Sequence, residues 1–142
     1  MSVMLFIHVL TIGVWAGCVF TEVVLEVVLE KQPPESSHLA RLHALIDRYV
    51  EIPAIIVVAA TGVVLLQSAQ WDTLLEVKVA LGVTAVVLNS IAALTVQRRY
   101  QCLQSGNMSG YQYWNLWHER IGIGCVLSIT GAIVVGGYRL VL

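Results

Sequence analysis

The sequence predicts an all-α fold, namely an integral membrane bundle of four antiparallel helices. Charged residues make up only 12% of the 142 residues, against 58% hydrophobic ones, whereas soluble domains carry about 25% charged residues. Four windows contain no charged residue and together cover more than half of the chain: 1–21, 52–71, 79–97 and 121–138. Each window is long enough for a membrane-spanning helix, which needs about 17–25 residues. Continuous apolar runs such as 55–60 favour helices over the alternating strands of a barrel.

The composition also excludes several classes of protein. The formal net charge is −1 and the pI is about 6.4, so the chain lacks the basic surface of a nucleic-acid binder. Its hydrophobic content excludes a soluble enzyme and a disordered tail. We therefore expect one transmembrane domain over residues 1–142, with the lipid bilayer as its main partner.

Apolar length and flanking polar residues place the helices at 3–29, 42–68, 73–98 and 113–139. The first helix could be mistaken for a signal peptide. It lacks the basic start of one, however, and its apolar run is followed by Glu22, Glu26 and Glu30. We therefore do not expect it to be cleaved.

The connections between the helices predict the orientation in the membrane. The loops at 30–41 and 99–112, with their flanks, carry six of the eight basic residues: Lys31, Arg41, Arg48, Arg98, Arg99 and Arg120. The positive-inside rule then places both loops in the cytoplasm and both termini outside, in a bacterial inner membrane. Aromatic residues follow the second loop, as expected of an interfacial belt: Tyr111, Tyr113, Trp114 and Trp117.

Ionisable residues at membrane depth are costly and usually face the interior of a bundle, so they point to functional sites. At 100° per residue, one face of the first helix carries His8, Trp15, Glu22, Glu26 and Glu30. One face of the second carries His43, Asp47 and Glu51. Stripes of mainly small residues accompany Lys78 and Asn89 on the third helix, and His118 and Cys125 on the fourth. Small residues let helices approach closely or leave room for a flat cofactor.

Depth along the helices separates two candidate sites. An outer site comprises His8, Trp15 and Lys78. An inner site, some 20 Å below His8 at 1.5 Å per residue, comprises Glu22, Glu26, His43, Asp47, Glu51, His118 and Glu119. Imidazole and carboxylate ligands suit Zn, Fe, Mn or Cu. The alternative is a cytoplasmic interface where these residues meet water and arginines.

The outer residues allow more than one interpretation. His8 could be an axial haem ligand, or it could hydrogen-bond a neighbouring helix. Lys78 lies in an apolar run and needs an anionic partner, which could be a carboxylate, a cofactor propionate or a substrate. The three cysteines, Cys18, Cys102 and Cys125, lie on different segments without a CxxC pattern, and we interpret them as buried small residues.

Several short motifs together resemble a known family: His8, Trp15-Ala16-Gly17, Ile52-Pro53-Ala54-Ile55, Thr61-Gly62, and Trp71 followed by Leu75-Glu76-Val77-Lys78. Their order and spacing over residues 5–95 resemble the HemJ-type protoporphyrinogen oxidases. The same skeleton, with Asn89, is also similar to CopD-type membrane proteins linked to copper handling. The resemblance implies that His8 ligates haem and that Lys78 is functionally required. The inner histidines and carboxylates are not part of the family pattern.

The sequence thus predicts a membrane protein that binds haem b or a transition metal, with a redox role. In the HemJ-like form, His8 binds the haem, Trp15 packs on it, and Lys78 pairs with an anion and serves as the catalytic residue. A quinone or porphyrin-like molecule would be the substrate. In the CopD-like form, the inner site binds or transports Cu, Zn or Fe. A third possibility is a structural subunit without a cofactor. The chain could also form a homo-oligomer.

Overall fold

The computed structural model describes residues 2–29 and 37–141, without the side chains of residues 29, 37, 39 and 140. Every regular element in these ranges is helical: α1 (Val3–Leu29), α2 (Ser37–Ile46), α3 (Ile52–Leu66), α4 (Thr73–Gln104) and α5 (Met108–Val141), with a π-helical turn (Asp47–Glu51) joining α2 to α3. Residues 30–36 of the predicted loop at 30–41, among them Glu30 and Lys31, lie outside the described residues. Residues 37–41 are not a loop as predicted, because α2 begins at Ser37 and not at residue 42.

Four stretches are long and apolar enough to cross a membrane: Val3–Val28, Ala40–Leu66, Thr73–Gln104 and Met108–Arg139. The second stretch runs continuously through α2, the π-helical turn and α3. The prediction of an all-α membrane bundle with four spans is therefore confirmed.

The boundaries around the α4–α5 connection differ from the prediction. Helix α4 continues to Gln104 instead of ending at residue 98, and α5 begins at Met108 instead of residue 113. Gly106 adopts a positive φ of 71°, and the amide of Asn107 donates to the Cys102 carbonyl at 2.9 Å, which closes α4 in a left-handed glycine cap. The Asn107 side chain then accepts from the Gly110 amide and caps α5. The predicted loop at 99–112 is therefore a tight turn, and the aromatic residues lie within α5.

The π-helical turn has a local cause in Pro53. Proline has no amide hydrogen and its ring crowds the carbonyl four residues earlier, which disfavours a regular α-helical ladder here. The amide of Ile52 instead donates to the carbonyl of Asp47, five residues back. The wider turn buries both Asp47 and Glu51. Such turns inside helices are frequent at functional sites.

The helices pack unevenly around the core. Helix α4 packs along α5, α1 packs on α3, and α2 packs on α4, whereas α1 and α5 touch at few points. The buried core contains Trp15, Ala16 and Val19 of α1, together with Ala54, Ile55, Val58, Ala85, Cys125 and Ile129. A cleft remains between α1 and α5, and it leads to the polar residues described next.

Candidate metal centre

Ionisable side chains from four spans converge at one end of the bundle. His43 is fully buried, and Arg99 and Asp47 are each 1% exposed. Glu51 is also buried, while Glu22 and Glu26 are partly buried. Helix α2 and the π-helical turn contribute His43, Asp47 and Glu51, which lie on one line because the wider turn offsets the angular drift of an α-helix.

Glu22, His43 and Asp47 form a compact group of three metal-ligating side chains. One ligand atom from each lies within 4.8 Å of the others. The Nε2 atom of His43 lies 3.7 Å from Glu22 Oε2 and 3.5 Å from Asp47 Oδ1. These separations are long for hydrogen bonds. They are close to the roughly 3.3 Å that separates two ligand atoms each about 2.0–2.2 Å from a tetrahedral metal ion.

The same group holds most of the buried polar atoms that have no hydrogen-bond partner. Among the described residues these atoms are Glu22 Oε1, His43 Nε2, Asp47 Oδ1 and Oδ2, Glu51 Oε1, Trp15 Nε1 and Asn89 Nδ2. Five of the seven belong to Glu22, His43, Asp47 and Glu51. A buried polar group without a partner is costly and calls for an explanation, of which a bound ion is one.

Glu26 orients the imidazole of His43. The Nδ1 atom of His43 lies 2.9 Å from Glu26 Oε1 and 3.3 Å from a guanidinium nitrogen of Arg99. The shorter contact assigns the ring N–H to Nδ1, which donates to the carboxylate and leaves the lone pair on Nε2. Metal-binding histidines use this arrangement, in which a carboxylate fixes the ring and raises its basicity.

Arg99 in turn holds Glu26 in place. Its Nη1 atom donates to Glu26 Oε2 at 2.7 Å and to Asn115 Oδ1 at 2.8 Å, and its Nη2 atom donates to Glu26 Oε1. This two-pronged pairing is the geometry in which arginine binds a carboxylate most strongly. Arg99 thus links α4, α1 and α5 at the level of the cluster.

The charges of the cluster do not balance. Four carboxylates, those of Glu22, Glu26, Asp47 and Glu51, face one guanidinium, that of Arg99. Buried charges without compensation are strongly unfavourable. A divalent cation between Glu22 and Asp47 would offset two of the excess negative charges, and protonation of His43 or of the carboxylates is the metal-free alternative.

His118 is oriented by a threonine. Its Nδ1 atom lies 3.0 Å from the Thr95 hydroxyl, and that hydroxyl donates to the Ala92 carbonyl at 2.7 Å. Thr95 therefore accepts from the ring N–H at Nδ1, and the lone pair on Nε2 points into the cluster, 3.6 Å from Glu26 Oε1. Glu26, His43 and His118 form a second group whose ligand atoms lie within 4.8 Å of one another.

The cleft between α1 and α5 opens onto this cluster. Its cavity measures about 690 Å³, and Glu22, Glu26, Asn89 and His118 are among its lining residues. That volume lies within the range of small-molecule sites, about 300–1,000 Å³. The cleft therefore provides a route by which an ion or a small molecule can reach Glu22.

The predicted inner residues are brought together with one exception. Glu22, Glu26, His43, Asp47 and His118 take part in the two groups. Glu51 is buried one turn after Asp47. Glu119 instead is exposed, where it accepts from Asn115 Nδ2 at 2.6 Å. It lies at the rim of the cleft, because it follows His118 by one residue and so points about 100° away from it.

The predicted outer residues lie apart from this cluster. His8 is buried, and its Nδ1 atom lies 2.8 Å from the Thr61 hydroxyl on α3. Trp15 belongs to the apolar core and is 3% exposed. The aliphatic part of Lys78 lies against Gly136 of α5, and no described carboxylate lies within 4 Å of its ammonium group.

Arg99 and Thr95 were not predicted as site residues, and Thr61 was named only as part of the Thr61-Gly62 motif, without its contact to His8. Arg99 was counted only as a cytoplasmic charge, although it continues the stripe of Asn89 and Ala92 at helical spacing. That spacing was a usable signal. Thr95 carries no sequence signal of its own, and the Thr61-Gly62 motif does not by itself imply a contact with His8, because a hydroxyl in a membrane helix usually bonds to its own backbone.

Comparison of the chain with protein-family models, with curated proteins and with solved structures gave no match.

Proposed function

We propose that this protein is an integral membrane metal-binding protein whose Glu22, His43 and Asp47 hold one transition-metal ion. The observation that carries the proposal is the unpartnered Nε2 atom of the fully buried His43. It faces two carboxylates at 3.5 and 3.7 Å, while Glu26 holds the other ring nitrogen. No hydrogen bond from the described residues pairs this Nε2 nitrogen, whereas a cation placed between it and the two carboxylates would have all three as ligands.

The ligand set limits the identity of the ion. One imidazole nitrogen and two carboxylates suit Zn²⁺, Fe²⁺ or Mn²⁺ better than Cu⁺, which prefers thiolate and thioether ligands. Three protein ligands beside an accessible cleft also leave one position for water or another small ligand. An exchangeable ion of this kind fits metal handling or metal-assisted chemistry in the membrane.

Metal content is the direct test of this function. The protein, purified in detergent, is loaded separately with Zn²⁺, Mn²⁺ and Fe²⁺, freed of excess ion, and analysed for metal per chain. We expect close to one ion per chain, and its loss in His43→Ala. The matched control is His38→Ala, since His38 lies on the same helix but is exposed.

A wild-type protein that retains no ion at all would contradict the proposal. It would favour a structural subunit whose polar residues only hold the helices together. An ion retained equally by wild type and His43→Ala would show that metal binds elsewhere.

A second candidate function, haem binding with a redox role, is supported by a separate observation at His8. The Thr61 hydroxyl donates to the Val57 carbonyl at 2.7 Å, so it accepts from the Nδ1–H of His8. The Nε2 atom of His8 then keeps its lone pair, as an axial haem ligand requires. In this HemJ-like form Lys78 would pair with a haem propionate or an anionic substrate.

Optical spectroscopy separates the two functions. Added haem should give a Soret band in the wild-type protein and a much weaker band in His8→Ala, with His38→Ala again as the control. No Soret band in the wild type would exclude haem binding and leave the metal site unaffected, because the two sites share no residue.

We also propose that the α4–α5 turn faces the cytoplasm of a bacterial inner membrane, with both termini outside. The charge distribution supports this orientation: Arg98, Arg99 and Arg120 flank that turn, whereas Arg139 is the basic residue near the opposite end of α5. A cysteine introduced at Ser105 in a cysteine-free background should react with an impermeant maleimide only after the membrane is opened. Labelling in intact cells would reverse the orientation.

A further inference from the structure

The guanidinium of Arg99 lies within the second group of possible metal ligands, which consists of Glu26, His43 and His118. It donates to both carboxylate oxygens of Glu26, and it lies 3.3 Å from His43 Nδ1. Arg99 is 1% exposed, so this positive charge is held inside the bundle and not at its surface.

The second group has ligand geometry of its own. Glu26 Oε1 lies 2.9 Å from His43 Nδ1 and 3.6 Å from His118 Nε2. These separations bracket the value of about 3.3 Å expected around a tetrahedral ion. Thr95 keeps the lone pair of His118 directed at Glu26. The arrangement is therefore able to hold a cation, and the guanidinium of Arg99 already supplies a positive charge at this position.

The two groups are joined through His43, because its Nε2 atom faces Glu22 and Asp47 while its Nδ1 atom faces Glu26. An ion in the second group would need the lone pair of Nδ1, so its binding would release the Nδ1 proton to solvent. It would also have to displace the guanidinium from Glu26. The bound Arg99 opposes this second ion because it occupies both oxygens of Glu26 and because its positive charge repels another cation at this position.

We propose that Arg99 is a built-in counter-cation that occupies a second cation site and limits the cluster to a single metal ion. This inference rests on the proposed metal site of Glu22, His43 and Asp47. We therefore expect the second group to bind a transition-metal ion as well, but only when the positive charge at position 99 is removed.

The test is the number of Zn²⁺ ions bound per chain at saturation, measured on the full-length protein in detergent. The wild type should bind one ion even in large excess of Zn²⁺. Arg99→Gln, which removes the charge but keeps a hydrogen-bond donor, should bind two and release a proton with the second. Arg99→Lys keeps a cation at this position and should bind one. Adding Glu26→Gln to Arg99→Gln should return the number from two to one.

A wild type that binds two ions overturns the inference without any variant, and so does a folded Arg99→Gln that still binds one. Arg99→Met, a neutral side chain of similar length, replaces Arg99→Gln if the latter does not fold. A wild type that binds no ion contradicts the proposed function itself, so the two failures are distinguishable.

Discussion

His43 is the residue on which the proposed site depends, because its two ring nitrogens have different partners. Glu26 fixes Nδ1 at 2.9 Å, and Nε2 faces Glu22 and Asp47 without a hydrogen bond. A single orientation of the ring therefore explains both the bonded and the unbonded atoms. The Nδ1 atom is fixed in the same way in His118, by Thr95, and in His8, by Thr61, with a hydroxyl as acceptor in place of the carboxylate.

At the residue scale, the two predicted acidic ligands Asp47 and Glu119 should behave differently. Asp47→Asn removes a charged oxygen ligand 3.5 Å from His43 Nε2. We expect it to weaken zinc binding at least ~10-fold, since changes outside the ligand shell already cost about 10–100-fold. Glu119→Gln should leave the affinity unchanged, because Glu119 is exposed at the rim of the cleft. Competition with a chromophoric chelator measures both.

The reverse result, a loss of zinc affinity in Glu119→Gln and none in Asp47→Asn, would place the site at the rim of the cleft.

Helical periodicity alone could not distinguish these two carboxylates. It correctly placed Asp47 on the face of His43, but it grouped Glu119 with His118 by neighbourhood in the sequence. Arg99 was missed for a related reason: it was interpreted as a topological charge near a helix end, although its helical spacing from Asn89 and Ala92 indicates the buried face.

At the element scale, the π-helical turn accounts for the alignment of ligands on the second span. In a regular α-helix, residues four apart drift by about 40°, so His43, Asp47 and Glu51 would spread over about 80°. The bond from Ile52 to Asp47 widens the turn and brings both carboxylates inward. The four-residue spacing predicted a shared face, but the turn itself was not predicted, although Pro53 was a signal for it.

The other end of the bundle contains an element contact that depends on pH. Asp72 Oδ1 accepts from the Leu75 amide at 2.7 Å and caps α4, and Oδ2 accepts from Arg139 of α5. The Leu75 amide, and then Arg139, hold the pKa of the Asp72 carboxyl below its ordinary value of 3.8. The folded state thus binds this proton less readily than the unfolded state does.

Asp72→Asn should therefore lower the melting temperature at neutral pH. A carboxylate with a lowered pKa stabilises the folded state fully at pH values above the ordinary pKa of the carboxyl. This stabilisation is lost as the pH falls from the ordinary pKa towards the lowered pKa of the folded state. The difference between wild type and Asp72→Asn should accordingly shrink below about pH 4. Thermal melts between pH 3 and 7 measure this dependence.

Glu76→Gln is the matched control for the Asp72 experiment. Glu76 lies in the first turn of the same helix, is exposed, and forms no ion pair with the described residues. It should show a smaller change in melting temperature. A difference between wild type and Asp72→Asn that stays constant down to pH 3 would contradict the role given to the carboxylate.

At the scale of the whole molecule, hydropathy predicted the fold almost completely. Membrane helices must satisfy their own backbone hydrogen bonds, so the apolar windows alone define the number and type of elements. The ends were less predictable, because Arg98 and Arg99 suggested a helix end at 98, whereas the Gly106–Asn107 cap sets it at Gln104. The uneven packing leaves the cleft between α1 and α5. It depends on the fit between side chains of different helices, so the hydropathy pattern does not predict it.

A bound ion should stabilise the whole bundle. Glu22, His43 and Asp47 come from two different spans, so an ion that binds only the folded state raises its stability by mass action, by about 2.7 kcal/mol at a free ion concentration 100 times the dissociation constant. Chelation with EDTA should lower the melting temperature of the zinc-loaded wild type. Asp47→Asn should show a smaller fall in melting temperature on addition of EDTA, because it binds zinc more weakly, and an equal EDTA effect on both proteins would assign the stabilisation to another site.

X-ray absorption spectroscopy of the zinc-loaded wild-type protein identifies the atoms that bind the ion. We expect a coordination shell of nitrogen and oxygen atoms at about 2.0–2.2 Å, with the outer-shell scattering of one imidazole and without sulfur. Scattering from two imidazoles would place the ion between His43 and His118 instead, and a ligand at about 2.3 Å would indicate cysteine sulfur. Either result would contradict the site formed by Glu22, His43 and Asp47.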